Sequence, residues 1–288
     1  MSNTAPAPQW AWTRGRFAPF AEASVPLEDR GLQFGEALYE AVAIVSGVPF
    51  RLADHVERMR IGAAELGLAE GVPPIETWQR IVSGLHRREP HREAMLYAQV
   101  TGGAAPRALV PQLRPQPRFF AYLRARDFPS PAAVARGIAV VVVPESRWRR
   151  RDLKTTMLLP AILARRAAVS GGAQEAVFVG EDGYVNEGAA STVFTVRQRE
   201  VTTPPSGDRL LPGVSALVVE EICEELGVPF AAAPISLGEL RGADEVFIAS
   251  TSHLLMPVVR LEAEPVGDGR PGPVSLQLAY HFQRRFRG

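Results

Sequence analysis

Of the 32 basic side chains in this 288-residue sequence, 31 are arginine and one is lysine, at position 154. Where only a positive surface charge is needed, either residue serves, so a single retained lysine is a candidate for chemistry that needs an amine. An amine can lose its proton on burial and condense with an aldehyde to a Schiff base, whereas a guanidinium stays charged. Lys154 sits in ESRWRRRDLKTTMLLP, between a run of arginines and an apolar stretch. That setting desolvates the amine near other cations and favours its neutral form; the plainer alternative is an accidental surface lysine. Glu187, in GYVNEGAASTVF, is followed by Gly188, Ala189, Ala190 and Ser191. Small residues let a planar ligand approach the backbone, and a carboxylate there can keep a ring nitrogen protonated, unless it is simply a turn glutamate. Three segments are candidates to gather around a phosphate. Pro212-Gly213-Val214-Ser215 opens a helix whose free N–H groups favour an anion. Ser250-Thr251-Ser252 places hydroxyls after a strand, and Arg58, one helical turn from His55, offers a two-pronged fork.

These side chains need elements to position them. Residues 37–51, ALYEAVAIVSGVPFR, alternate around Ser46-Gly47 and predict a β-hairpin. Asp54 is then placed to cap a helix whose apolar face carries Val56, Met59, Ala63 and Leu66. A second helix is expected at Ile75–Arg88, with strands at 94–101 and 118–124. RDFPSP, at 126–131, is rich in turn formers and marks a boundary between an N-terminal α+β domain (1–125) and a C-terminal α/β domain (126–288), with a linker at about 126–132. Beyond it the pattern predicts strands at 137–143, 176–179, 192–196 and 245–249, and helices at 158–169 and 215–226. A basic C-terminal helix follows, whose Arg284, Arg285 and Arg287 read as a solvated face.

Composition and missing motifs narrow the chemistry further. With 32 basic against 31 acidic residues the formal charge is +1, which gives no broad field for nucleic acid or an anionic membrane. Cys223 stands alone, so no intrachain disulfide or paired-thiolate metal site forms. The N-terminus shows neither the charged nor the apolar segment of a signal peptide, and the aliphatic run 139–143 is too short to span a bilayer. A cytoplasmic location is expected. A Walker A loop, HExxH and GxSxG are all absent, so no P-loop nucleotide site, metal hydrolysis or serine hydrolysis is expected.

Taken together, DRGLQFGEALYE, HVER, RWRRRDLKTTMLL, NEGAASTVF, LLPGVS and FIASTS occur in the order and spacing of the fold-type IV pyridoxal-phosphate enzymes, the class IV aminotransferases, over about 27–259. The RW-x-R-x-DLK string is most similar to the D-amino acid branch. The resemblance implies a small N-terminal and a larger C-terminal domain with pyridoxal 5'-phosphate at their interface, in a homodimer. It implies Lys154 as the Schiff-base lysine and proton shuttle, and Glu187 as partner of the pyridine nitrogen. Arg58, the Val214 and Ser215 backbone, the Ser215 hydroxyl and Thr251 are implied as the phosphate cup. Tyr39 and Arg107 match two of the three groups that trap the substrate carboxylate in D-amino acid enzymes, but the third, a His, is replaced by Leu109. Gly213-Val214-Ser215-Ala216 departs from the usual Gly-Ile-Thr-Arg. After FIAST, His253 and Leu254 replace a small residue and a Glu, and His253 either lines the site or is structural. The function implied is transfer of an amino group from a D-amino acid to a 2-oxo acid. The alternatives are a branched-chain L-amino acid or amine transaminase, an aminodeoxychorismate lyase, or a cofactor-binding protein without turnover.

Overall fold

The computed structural model describes residues 6–207 and 210–288. The chain divides into two units, one running up to Asp127 and taking in Leu153–Met157, the other made of Phe128–Asp152 and Leu158–Gly288. The segment that carries Lys154 thus returns to the first unit after the second has begun.

In the first unit, β1 (Trp10–Thr13) and β2 (Arg16–Pro19) form a hairpin, followed by α1 (Arg30–Phe34), β3 (Ala37–Val45), β4 (Val48–Pro49), α2 (Leu52–Glu65), α3 (Ile75–Arg88), β5 (Glu93–Thr101) and β6 (Arg118–Ala125). The strands build one antiparallel sheet in the order β2-β1-β6-β5-β3-β4. The hairpin expected at 37–51 forms, with φ of 48° at Ser46 and 83° at Gly47, the left-handed pair that a two-residue turn requires. Alternation places Leu38, Glu40, Val42 and Ile44 of β3, and Ala94, Leu96, Ala98 and Val100 of β5, on the buried face. The apolar stripe Trp78, Ile81, Val82 and Leu85 of α3 is fully covered, as its helical spacing predicts. Asp54 is not the cap of α2. Burial of Leu52 extends the apolar face back, so the helix starts there on Arg51, at φ 58°, and Asp54 lies within the first turn, accepting from Arg51 Nε at 2.6 Å.

The second unit opens with α4 (Pro131–Arg136), capped by Ser130 of the turn-rich RDFPSP stretch. It continues through β7 (Ile138–Pro144), α5 (Leu159–Ser170), β8 (Glu175–Val179), β9 (Val185–Gly188), β10 (Thr192–Arg197), β11 (Glu200–Thr203), α6 (Val214–Leu226), β12 (Phe230–Ala232), α7 (Leu237–Arg241), β13 (Glu245–Ser250), β14 (Leu254–Leu261), β15 (Glu264–Pro265) and α8 (Pro273–Arg287). Its sheet runs β12-β11-β10-β13-β14-β7-β8-β9, with β15 beside β14, and mixes parallel and antiparallel pairs. The alanines 161, 164 and 168 of α5 pack with Ala139, Ala176 and Phe178 of the sheet, where small side chains allow close helix-to-sheet approach. Val218, Val219 and Ile222 of α6, and Leu278 and Phe282 of α8, are likewise fully buried. Arg285 is not simply solvated: it pairs with Glu221 at 2.9 Å and with Glu225. Among the described residues no helix is long and apolar enough to cross a membrane.

Candidate functional site

Lys154 is held by backbone pairing at the start of β3. Tyr39 N–H donates to the Lys154 carbonyl at 3.0 Å and Thr156 N–H to the Ala37 carbonyl at 3.2 Å, so the 153–157 segment runs as a short extra strand beside β3, anchored by buried Leu153. The half-buried Lys154 amine then lies 3.5 Å from the Tyr39 hydroxyl and 4.5 Å above the centre of its ring. Tyr39 stacks on Tyr97 at 5.7 Å, and Tyr97 on Tyr122 at 5.3 Å, giving an aromatic row on the open face of the sheet. Burial raises the pKa of both Tyr97 and Tyr122, so those two rings stay uncharged at neutral pH.

Arg58 and His55 do share a face of α2, as their spacing predicts, but the fork is taken up by a residue that the spacing does not reveal. Glu40, fully buried on β3, accepts from Arg58 Nε and Nη2 at 2.7 Å each and faces His55 Nδ1 at 2.7 Å. Burial raises the pKa of Glu40, yet Arg58 and then His55 outweigh it and hold the carboxyl well below the usual range. Burial likewise lowers His55 despite Glu40, so the ring is neutral at pH 7. The available signal was a glutamate at an inward-pointing position of an alternating strand. Arg107 lies on the exposed loop after β5, its guanidinium 4.7 Å from the centre of the Phe34 ring and Nη1 3.5 Å from Gln33 Oε1. Leu109, two residues on, is 82% exposed.

In the second unit Glu187 is the third residue of β9 and is buried. It is not a lone turn glutamate: Arg147 Nη1 donates to its Oε1 at 2.6 Å, while Arg147 Nε and Nη2 reach Glu145 at 3.0 and 2.7 Å. The RWRRR run gave no means of telling Arg147 from its neighbours. The small residues after Glu187 turn the chain into β10, whose first residue, Thr192, pairs with Ala249 of β13. Gly213, the N-cap of α6, comes so close to Thr192 that a Cβ there would lie 2.7 Å from its hydroxyl. One strand end thus brings together the first turn of α6, with Val214 and the buried Ser215, and the loop after β13, with Thr251. No side chain caps α6, and an uncapped first turn flanked by hydroxyls suits an anion. His253 N–H donates to Ser250 Oγ at 3.1 Å, and its Nδ1 is 3.1 Å from the same oxygen. The described residues contain no acidic, His or Cys cluster able to hold a metal.

A family described as amino-transferase class IV matches residues 37–261. D-alanine aminotransferase of Bacillus licheniformis is 32% identical over 269 residues, covering 93% of this chain and 94% of its own. That of Staphylococcus aureus (strain MSSA476) is 33% identical over 272 residues, covering 94% and 95%. A solved branched-chain aminotransferase from the thermophilic archaea Thermoproteus uzoniensis, with norvaline, superposes with a TM-score of 0.83 at 26% identity, covering 96% of this chain and 94% of its own. The chain belongs to the class IV aminotransferases. It is an aminotransferase of fold type IV, a class that depends on pyridoxal 5'-phosphate.

Proposed function

We propose that this enzyme moves an amino group from a D-amino acid to a 2-oxo acid, with Lys154 as its central catalytic residue. The observation that carries the catalytic part is the half-buried amine of the only lysine, set 3.5 Å from the Tyr39 hydroxyl. The D-preference is supported by the near full-length identity to D-alanine aminotransferases together with Tyr39 and Arg107. The donor set fits the cofactor. The uncapped α6 turn at Val214 and Ser215, with Thr251 beside it, suits a phosphate, and buried Glu187 suits a ring nitrogen. Arg58, fixed by Glu40, is the remaining phosphate ligand in this reading. When bound, pyridoxal 5'-phosphate supplies an aldehyde and an electron-accepting ring. Lys154 Nζ holds the cofactor, then serves as general base and acid for the proton on the substrate Cα. Tyr39 orients Nζ through its hydroxyl, and Glu187 holds a proton on the ring nitrogen. In this reading the enzyme is a cytoplasmic homodimer, and exposed Leu109, Val110 and Leu113 on the Arg107 loop support the assembly, which light scattering checks.

A branched-chain L-amino acid transaminase is the second reading, supported by the Thermoproteus uzoniensis structure. Half-reactions followed by cofactor absorbance separate the two. D-alanine or D-glutamate is expected to convert the cofactor faster than its L-enantiomer. With Leu109 in place of a His donor, the substrate carboxylate depends mainly on Arg107. Arg107→Ala is therefore expected to raise KM about 10- to 100-fold and Leu109→His to lower it, each by the worth of one charge-assisted contact. Faster conversion with L-leucine and an indifferent Arg107 would establish the second reading instead.

A further inference from the structure

We propose that Glu145 sets the charge with which Glu187 faces the cofactor's ring nitrogen, by neutralising the arginine that stands between the two carboxylates. The inference rests on the reading above, in which Glu187 partners that nitrogen. Taken as a pair, Glu187 and Arg147, with Nη1 and Oε1 2.6 Å apart, carry no net charge. A carboxylate neutralised in this way holds a proton on a nearby base only weakly, because the cation's repulsion largely offsets its attraction at similar range. Glu145 changes that balance. It takes the other two donors of Arg147, Nε at 3.0 Å and Nη2 at 2.7 Å, so these three groups sum to one negative charge, partly offset by Arg151 beside Glu145, and loss of the Glu145 charge makes the whole cluster one unit more positive. All three side chains are about 10% exposed, which keeps solvent from screening the effect.

The surroundings hold Glu145 in this role. Its own N–H donates to the Val179 carbonyl at the end of β8, while β8 pairs with β9, the strand of Glu187. Arg147 lies over the Phe178 ring at 4.2 Å. Asn186 Nδ2 and the Arg147 N–H each donate to Glu145 at 2.9 Å. The charged groups facing Glu145 are Arg147 and, at 3.6 Å, Arg151. Burial works against its ionisation, but Arg147 and Arg151 hold its carboxyl below the usual range, so it is charged at neutral pH. Without it, Arg147 and Arg151 would lose the counter-charge that Glu145 supplies. Glu145 is a positioning residue, acting through Arg147 and Glu187.

The test uses holoenzyme reconstituted with ring-15N-labelled pyridoxal 5'-phosphate, whose 15N shift followed against pH reports protonation of the ring nitrogen directly. Glu145→Gln keeps the shape and is expected to lower the ring-nitrogen pKa by about one unit, with a fall in kcat and little change in the KM of the amino donor. Arg147→Gln is expected to move it the opposite way, and the double variant to return it close to wild type. A purely structural role would move both single variants in the same direction, and that result would overturn the proposal. Should Arg147→Gln not fold, Glu145→Asp decides: a ring nitrogen like wild type supports a charge effect, and a shift like that of Glu145→Gln defeats it. Glu187→Gln separates the two levels of inference. If it shifts the nitrogen while Glu145→Gln does not, only the role of Glu145 fails; if neither shifts it, the assignment of Glu187 fails as well.

Discussion

Lys154→Arg is expected to abolish transamination, with at least a ~10⁴-fold loss of rate, because one residue is both the anchoring nucleophile and the proton carrier. The substitution retains the positive charge and most of the length. The backbone pairing of the 153–157 segment to β3 needs no side chain, so the fold should survive. Unfolding by urea should therefore match wild type, while borohydride reduction followed by peptide mapping should find the cofactor attached at residue 154 in wild type and nowhere in the variant. Measurable turnover by the arginine variant, or attachment elsewhere in wild type, would refute the role given to Lys154. Tyr39→Phe adds a graded check, since removing the hydroxyl 3.5 Å from Nζ should slow the Cα-proton step without releasing the cofactor.

The largest stability effect is expected at Glu40. Glu40→Ala would remove both Arg58–Glu40 hydrogen bonds and the partner of His55, and taking away one member of a buried ion pair costs about 3–5 kcal/mol. Urea unfolding of the apoprotein should show that loss. The double variant Glu40→Leu/Arg58→Met should recover much of it, because an apolar pair of similar volume needs no compensation. If the single variant unfolds like wild type, the cluster contributes nothing to the fold. The pH dependence follows from the two shifts. Glu40 is held below its usual value, so its contribution is complete above the ordinary carboxylate range and is lost as the pH falls through and below it. His55 is lowered from 6.5, so the unfolded chain takes up its proton first and stability declines as the pH drops below about 6.5. Both act in the same direction, and apoprotein stability should fall steadily on acidification from pH 7.

Periodicity and residue type decided a good deal here. The 37–51 hairpin, the apolar face of α2 and the extent of α3 were legible, because alternation and helical spacing are local properties. The small hairpin of β1 and β2 was missed, although Arg14-Gly15 turns it with both φ positive, since four-residue strands leave too little pattern to count. So was β14: Pro257 sits inside LLMPVVRL and argues against a strand interior, yet it pairs opposite Phe247, and the register toward β7 shifts just beyond it. The motif order singled out Lys154, Arg58, Glu187, Ser215 and Thr251 as candidates one by one. What each side chain touches was decided only by tertiary structure. The Lys154 segment crosses back to lie along β3, Arg58 is bound by a glutamate 18 positions earlier, and Glu187 shares an arginine 40 positions away with Glu145. Ion pairs between distant residues depend on strand register and on the burial that keeps water from competing, and neither quantity is written into any single stretch of the chain.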